Sequence, residues 1–516
     1  MASYLHPGVY IEEIPSGSKP IEGVSTSTAA FIGSSFRGSV NTPTLIGTWD
    51  EYVQLFGDYT QSSGVEDDQD AMALAVRAFY QNGGKAAYIC RVHRETAAAV
   101  SSSAMLQNTT PDPDVDILTV TASSEGDWGD DLRIAIVDNT SSFELHVGTG
   151  DFLTSTYEVF KDLSLDPGDD NFVEKIINDG SNLIQVSVED GVTDFPDADT
   201  VDGNGDFTSA TALTGGTNTA PTAANYLTFY DNVLRKYNDI SIILLPGQHW
   251  PVGGGNDFIT NTITHCESTM SRMLILDPPL TPELKTGADV TTLVLPTSTY
   301  STLYYPWVEV SNPLYHVDSN PTASKTLTIP PSSIAAALWA RTDNKRGIWK
   351  APAGVETRIN VSGLQYKVED LEQDGLNPTG VNCIRNRPGY GPVLWGSRTL
   401  ATKASPEWRY IPVRRTAIFI EQSIYNGIQW SVFEANDDPL WSALRANIGS
   451  FMNGLFRAGA FQGATADDAY FVRCGKGDTM TQGDIDRGQV IVVVGFAPLK
   501  PAEFVILRIQ QKVDQQ

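Results

Sequence analysis

The sequence predicts an α/β protein, mixed in character, with a β-rich domain inserted into it and extended strands at its ends. Three observations carry this. Continuous apolar runs alternate with helical periodicity between residues 216 and 300. The block 96–215 is instead made of short alternating runs set among Asp, Gly, Ser and Asn. Finally, the chain closes on "AEFVILRIQQKVDQQ", in which Val505, Leu507 and Ile509 share one face while Phe504, Ile506, Arg508 and Gln510 share the other. That is the pattern of a strand meant to be sandwiched, either within its own domain or against a different copy.

Taken in order, "GVYIEEIPSGSKPI" is a short extended strand closed by Pro15 and a Ser/Gly/Pro segment, and "TAAFIGSSFRG" is a strand with turn glycines. "DQDAMALAVRAFYQNGGKAAYICRV" is an amphipathic helix, a Gly83–Gly84 stop and a strand from Ala86 to Val92. In the acidic block, "DILTVTA", "LRIAIVD" and "NLIQVSV" are the strands of an all-β domain. "NYLTFYDNVLRKY" then places Tyr226, Leu227, Tyr230, Val233, Leu234 and Tyr237 on one helix face. The runs "ISIILLPG", "MLILDPP" and "TTLVLP" follow as buried strands of a sheet covered on both faces. The clearest helix is 439–461. Asp437 or Asp438 caps it, Pro439 suits its first turn, Gly463 suits its stop, and its stripe runs through Leu440, Trp441, Leu444, Ile448, Phe451, Met452, Leu455 and Phe456.

Charge separates these blocks. The 516 residues carry a net charge of −27. Residues 331–516 hold 21 basic and 18 acidic side chains, whereas residues 96–215 hold 3 and 24. Segregated acidity means that different blocks face different surroundings, and it disfavours nucleic acid as a partner of the acidic block. No apolar stretch is long enough to cross a bilayer, and the N-terminus lacks the basic start and apolar middle of a secretion signal, so synthesis in the cytoplasm is expected. Cys90, Cys266, Cys383 and Cys474 are far apart and are expected to be buried free thiols.

Motifs for catalysis or ligand binding do not hold. "GSSFRG" lacks nucleophile-elbow spacing, and "GKGD" lacks that of a phosphate loop. The six histidines, at 6, 93, 146, 249, 265 and 316, form no HxxxH pair, and His265–Cys266–Glu267 is expected to be a structural cluster. Registers starting at Asp197 or Asp202 fail the calcium-loop order, which leaves a solvated acidic loop. No catalytic, cofactor or metal site is therefore expected. Between 338 and 430, Arg385, Arg387, Arg398, Arg409, Arg414 and Arg415 gather with Trp395. They form either internal ion pairs and stacks or a surface for an acidic partner.

Several ordered stretches carry a resemblance: "HPGVYIEEIPSGSKPIEGVSTSTAAFIG", "TLYYPWVEV", "PPSSIAAALWARTDNKRGIWKAPAG", "LNPTGVNCIRNRPGYGPVLWGSRTL", "WRYIPVRRTAIFIEQSI" and "VVVGFAPLKPAEFVILRIQQ". Through them the chain resembles the contractile tail sheath family of bacteriophage tails and phage-tail-like injection particles, over about residues 1–95 and 216–516. The resemblance implies a subunit that stacks with itself in rings, usually six-fold, around an inner tube, and then shortens to drive the tube through a target envelope. Baseplate and terminator proteins would be further partners, with no nucleic acid, cofactor or membrane insertion.

The implied domain order is an N-terminal arm (1–20), a first core part (21–95), the inserted outer domain (96–215), an α/β subdomain (216–330), a C-terminal core (331–498) and a C-terminal arm (499–516). Arms of such proteins add strands to a neighbour's sheet. Here they correspond to Gly8–Ile14, with Val9, Tyr10, Ile11 and Ile14, and to Glu503–Gln511, with Phe504, Val505, Ile506, Leu507 and Ile509. Burying Val505, Ile506, Leu507 and Ile509 returns about 6–12 kcal/mol. Ordering nine residues costs about as much or more, so the tail needs a waiting sheet edge. Arg445 and Arg457 are the candidate contacts with the inner tube. The other readings are a static tube or surface array, and an acidic α/β enzyme.

Overall fold

The computed structural model describes residues 20–59, 68–92, 100–110, 114–149, 156–201, 207 and 209–504. It divides into two compact units: Ser25–Arg415, and Met1–Val24 together with Thr416–Gln516.

The large unit is built on an eight-stranded sheet. Its spatial order is Gly391–Leu394, Val381–Arg387, Ser301–Tyr305, Met273–Leu276, Ile242–Leu244, Ala29–Gly33, Ala87–Arg91 and Thr44–Ile46. The inner pairs are parallel, with Ala30 opposite both Ile243 and Tyr88, and only the two edge strands run antiparallel. A strand with helices over both faces cannot alternate polar and apolar residues, which is why "AAFIG", "IIL" and "MLIL" are apolar and wholly buried. Two helix pairs provide the cover: Asp68–Gln81 with Ser332–Arg346, and Ala223–Asn232 with Asp257–Thr269. The first nine residues of Ser332–Arg346 are all buried, as expected of a helix apolar all round.

Two readings of this region are corrected. "TTLVLP" is not a strand. Thr286 and Asp289 form a capping box that starts the helix Gly287–Thr292, Val294 is 62% exposed, and the next parallel strand is Ser301–Tyr305. In the helix Ala223–Asn232 the buried face is Tyr226, Phe229 and Tyr230, continued by Leu234 in a 3-10 turn, whereas Leu227 is exposed.

The acidic block holds a three-stranded sheet (Ser103–Asn108, Val115–Ala122, Ile184–Val188) and a four-stranded one (Thr211–Ala212, Leu132–Asp138, Phe143–Thr149, Thr156–Leu163). Trp128, Ile134, Phe143, Leu145, Val147 and Ile177 share its core. It also carries a helix, Val173–Gly180, so it is β-rich rather than all-β. Bridges from Val100 to Thr217 and from Ser103 to Thr214 hold its ends side by side.

In the small unit, Ile21–Val24 lies along the helix Ile411–Gly427. Val24 N–H donates to Ser423 Oγ at 3.1 Å, and Ile21 is nearly buried. A Cβ on Gly427 would come within 2.6 Å of Ile21, so the close approach requires glycine there. The long helix is Asp438–Arg457, with Asp437 as N-cap, its carboxylate accepting from Leu440 N–H, and Pro439 in the first turn. It stops earlier than its sequence suggests. Gly459, at φ 80°, turns the chain, and Gly459 and Ala460 N–H donate to Phe456 and Leu455 carbonyls. Gly463 lies beyond the stop. Leu440, Trp441, Leu444, Ile448 and Met452 are buried, while Phe451, Leu455 and Phe456 are half-buried.

Candidate strand-addition interface

Among the described residues of the small unit, the last regular element is a hairpin of two short strands, Tyr470–Arg473 and Val493–Phe496, paired antiparallel with Phe471 opposite Gly495. Among the described residues neither strand has a second strand partner. Two strands alone are of little stability in water, and this pair is held from beneath. Phe461 packs its ring 5.6 Å from Phe496 and 6.2 Å from Tyr470, and Tyr470 Oη donates to the Gly449 carbonyl of the long helix at 3.4 Å. On the pair's outer side the Phe471 ring covers Gly495, so closely that a Cβ there would meet ring carbon Cε1 at 2.3 Å. Phe471 is nonetheless 49% exposed and Val493 41% exposed. A small sheet anchored on one side, with open edges and apolar groups left in water, is suited to accept an added strand.

The expected arms lie almost wholly outside the described residues. Phe504 is 73% exposed, which fits an arm that finds no cover on its own body. Val505, Ile506, Leu507 and Ile509 lie outside the described residues, as do Val9, Tyr10, Ile11 and Ile14. Sequence reading named the candidate arms but not this hairpin. The signal was there: "YFVR" and "VVGF" are both β-branched and aromatic.

The two candidate tube contacts differ. Arg445 is half-buried and tied down, one guanidinium nitrogen donating to the Cys474 carbonyl and the other to Ser442 Oγ at 2.9 Å. Arg457 is exposed at the end of the helix. Twelve residues apart, the two point about 120° from each other, so they do not form one patch.

The arginine cluster is largely internal, which favours ion pairs and stacking over an acidic partner. Arg415 is bidentate on Asp343 at 2.9 and 2.6 Å, lies 4.6 Å over the Trp339 ring, and both side chains are buried. Arg414 is buried between Tyr300 and Trp408, and Arg387 lies 4.0 Å over Trp395, which is half-buried rather than exposed. Arg385 pairs with Asp370 at 2.5 Å, and Arg398 donates to the Asn377 carbonyl at 3.0 Å. Arg409 is half-buried.

The cysteines and His265 are core residues. All four cysteines are buried free thiols, and burial pushes Cys266 and Cys383 up to about 12. His265 is buried 4.9 Å from the Tyr230 ring without a hydrogen bond to either ring nitrogen. Burial, helped by Arg272 and Arg235, pushes it down to about 3. Within the expected structural cluster the His265 ring is therefore neutral and packed rather than hydrogen-bonded, while the Glu267 carboxylate accepts from Ser298 Oγ at 2.6 Å. Among the described residues no group of three or more His, Cys, Asp or Glu is placed to hold a metal ion, and no helix is long and apolar enough to cross a membrane. A surface pocket of about 200 Å³ is lined by Val290, Leu295, Thr379 and Leu400, with Lys403 as its one titratable group. A lone lysine supplies neither a nucleophile–base pair nor an oxyanion site.

Comparison with known proteins agrees with this picture. Residues 220–400 match the family model of the phage tail sheath protein central domain, and residues 403–512 match that of the phage tail sheath C-terminal domain. The chain is 27% identical over 183 residues to the tail sheath protein of Vibrio phage KVP40, covering 35% of this chain and 26% of that protein. It is 31% identical over 159 residues to that of Burkholderia phage BcepMu, covering 29% and 33%. The matched stretch thus spans about a quarter to a third of these relatives' length.

In fold, it is similar to the sheath of an extracellular contractile injection system, PVC, in its contracted state, with TM-score 0.59, 23% identity and 99% of each chain covered. The contracted helical sheath of the anti-feeding prophage gives 0.58 and 24%, covering 99% of this chain and 100% of that one. The two family matches together cover more than half of the residues, and on them the chain belongs to the phage tail sheath family.

Proposed function

We propose that this protein is the structural subunit of a contractile sheath. Copies stack in rings, with six-fold order, around an inner tube, and the rings repack into a shorter arrangement that drives the tube through a target envelope. The observation that carries the reading is the open-edged hairpin Tyr470–Arg473/Val493–Phe496 in the same unit as the two terminal segments. In each copy this hairpin takes strands from the arms of neighbours, Val9–Ile14 and Val505–Ile509. Such addition is heterologous and does not close on itself, so it generates an open helical polymer. Arms of this kind keep subunits tethered while their bodies move, and contraction requires two packings of the same rings with the shorter one lower in free energy.

Arg457, exposed at the end of the long helix, is the better candidate for contact with the inner tube, and Arg445 serves the fold. The baseplate and a terminator complete the particle, which is a phage tail or a tail-like device. The role is mechanical and needs no catalysis. Imaging of purified assemblies before and after triggering tests this. Two particle lengths with two ring spacings are expected, and a single spacing under all conditions would favour a static tube or surface array instead.

A further inference from the structure

The loop that enters the long helix carries the most exposed large apolar side chain among the described residues. Phe433 is fully exposed, and Val432 and Tyr425 are 58% and 60% exposed. The Phe433 backbone is also left-handed, at φ 69°, a conformation that bulky side chains seldom adopt. Neighbours fix it there. Ser431 Oγ donates to the Ile428 carbonyl at 2.7 Å, and Asn436 Nδ2 donates to the Gln489 carbonyl at 3.1 Å while its Oδ1 accepts from Trp441 Nε1 at 2.8 Å. The loop is thereby fastened beside the segment that enters the strand Val493–Phe496. Trp430, Val490 and Val492 pack on the same core beneath, while Ile491 and Val493 stay exposed. Exposed apolar side chains thus lie both on the segment entering the strand Val493–Phe496 and on the loop fastened beside it.

Within its own stretch of chain the charge has one sign. Residues 416–444 contain Glu421, Glu434, Asp437 and Asp438 and no lysine or arginine. The C-terminal segment Val505–Gln516 has the complementary chemistry, with five aliphatic side chains, Arg508 and Lys512 against a single acid, Asp514. The N-terminal segment fits less well, because Glu12 and Glu13 outweigh Lys19.

We infer that the C-terminal segment of a neighbouring copy, after adding its Val505–Ile509 part antiparallel to Val493–Phe496, continues onto this loop and seats Val513 against Val432 and Phe433, with Lys512 facing Glu434. The inference rests on the strand-addition reading above. The reach is sufficient: Ile509 to Val513 is four residues, about 13 Å extended, and Val493 back to Gln489 is also four residues. Phe433 is then an anchor of the kind that interfaces concentrate their contact on, held in its bound conformation before the partner arrives.

Photo-cross-linking of assembled particles tests this, with a benzophenone amino acid at position 433 of the full chain and mixed isotope-labelled copies. The expected product joins position 433 to residues 510–516 of another copy. Cross-links to the inner tube, to residues 1–19 or to another part of the body, or no cross-link, overturn the inference. Should that variant not assemble, charge exchange decides. Glu434→Lys and Lys512→Glu should each raise the concentration needed for assembly about tenfold, and the double variant should restore it; equal failure of all three overturns the proposal. A chain truncated after Phe504 tests the underlying reading separately, because its normal assembly would remove strand addition itself.

Discussion

Asp277 is fully buried at the end of the strand Met273–Leu276, where it accepts from Ser332 N–H at 2.9 Å and from Ser332 Oγ at 2.6 Å. Burial raises its pKa to about 7, outweighing those two bonds. With the folded value above the unfolded one, the folded state holds the proton more tightly, so stability falls as pH rises from about 4 to about 7 and the full penalty applies above that. Asp277→Asn should remove this slope, with a difference from wild type of at most about 4 kcal/mol above pH 7. Urea unfolding across pH checks it, and parallel slopes would contradict it. In the Arg415–Asp343 pair burial again raises the carboxylate's pKa, but here a partner charge is buried with it. Arg415→Met should cost about 3–5 kcal/mol by leaving Asp343 buried and unpaired, and Arg415→Met with Asp343→Leu should recover most of it. At this scale the sequence was informative about the scattered cysteines, which are buried free thiols as their spacing suggested, whereas it left the arginines open between internal pairing and a surface for an acidic partner. It was silent on Asp277, whose state depends on a partner 55 residues away.

At the scale of elements, the hairpin Tyr470–Arg473/Val493–Phe496 is the part whose integrity the proposed assembly needs most. Gly495→Ala places a methyl group where Phe471 lies, and should weaken the pair by about 1–3 kcal/mol as the ring is forced aside. Faster amide exchange at 470–473, with the rest of the protein unchanged, is the expected sign. Helices with long periodic stripes and clear caps were legible, as at Asp438–Arg457 and Asp68–Gln81. Buried parallel strands were legible as continuous apolar runs. "TTLVLP" misled because a short apolar run does not distinguish a strand from a helix end, and the Thr286–Asp289 capping box decides between them. The hairpin was overlooked because its strands are four residues each and are separated by a long excursion, so no tight turn announced the pairing.

For the whole molecule, the charge division now has a structural counterpart. Acidic residues are densest in a β-rich block with its own core, and the nearly balanced residues 331–516 hold the helix and hairpin proposed for assembly. Arg457→Glu should lower assembly on the inner tube about tenfold while leaving the fold intact, whereas Arg445→Glu should lower stability first, because it breaks the bond to Cys474. Co-sedimentation with the tube, alongside thermal unfolding, separates the two. A high-resolution structure of the assembled particle is the most direct test of the central claim. The account predicts that Tyr470–Arg473/Val493–Phe496 becomes the middle of a larger sheet, with Val505–Ile509 and Val9–Ile14 of other copies on its edges. A hairpin that stays two-stranded in the particle, or is completed by its own chain, would contradict it.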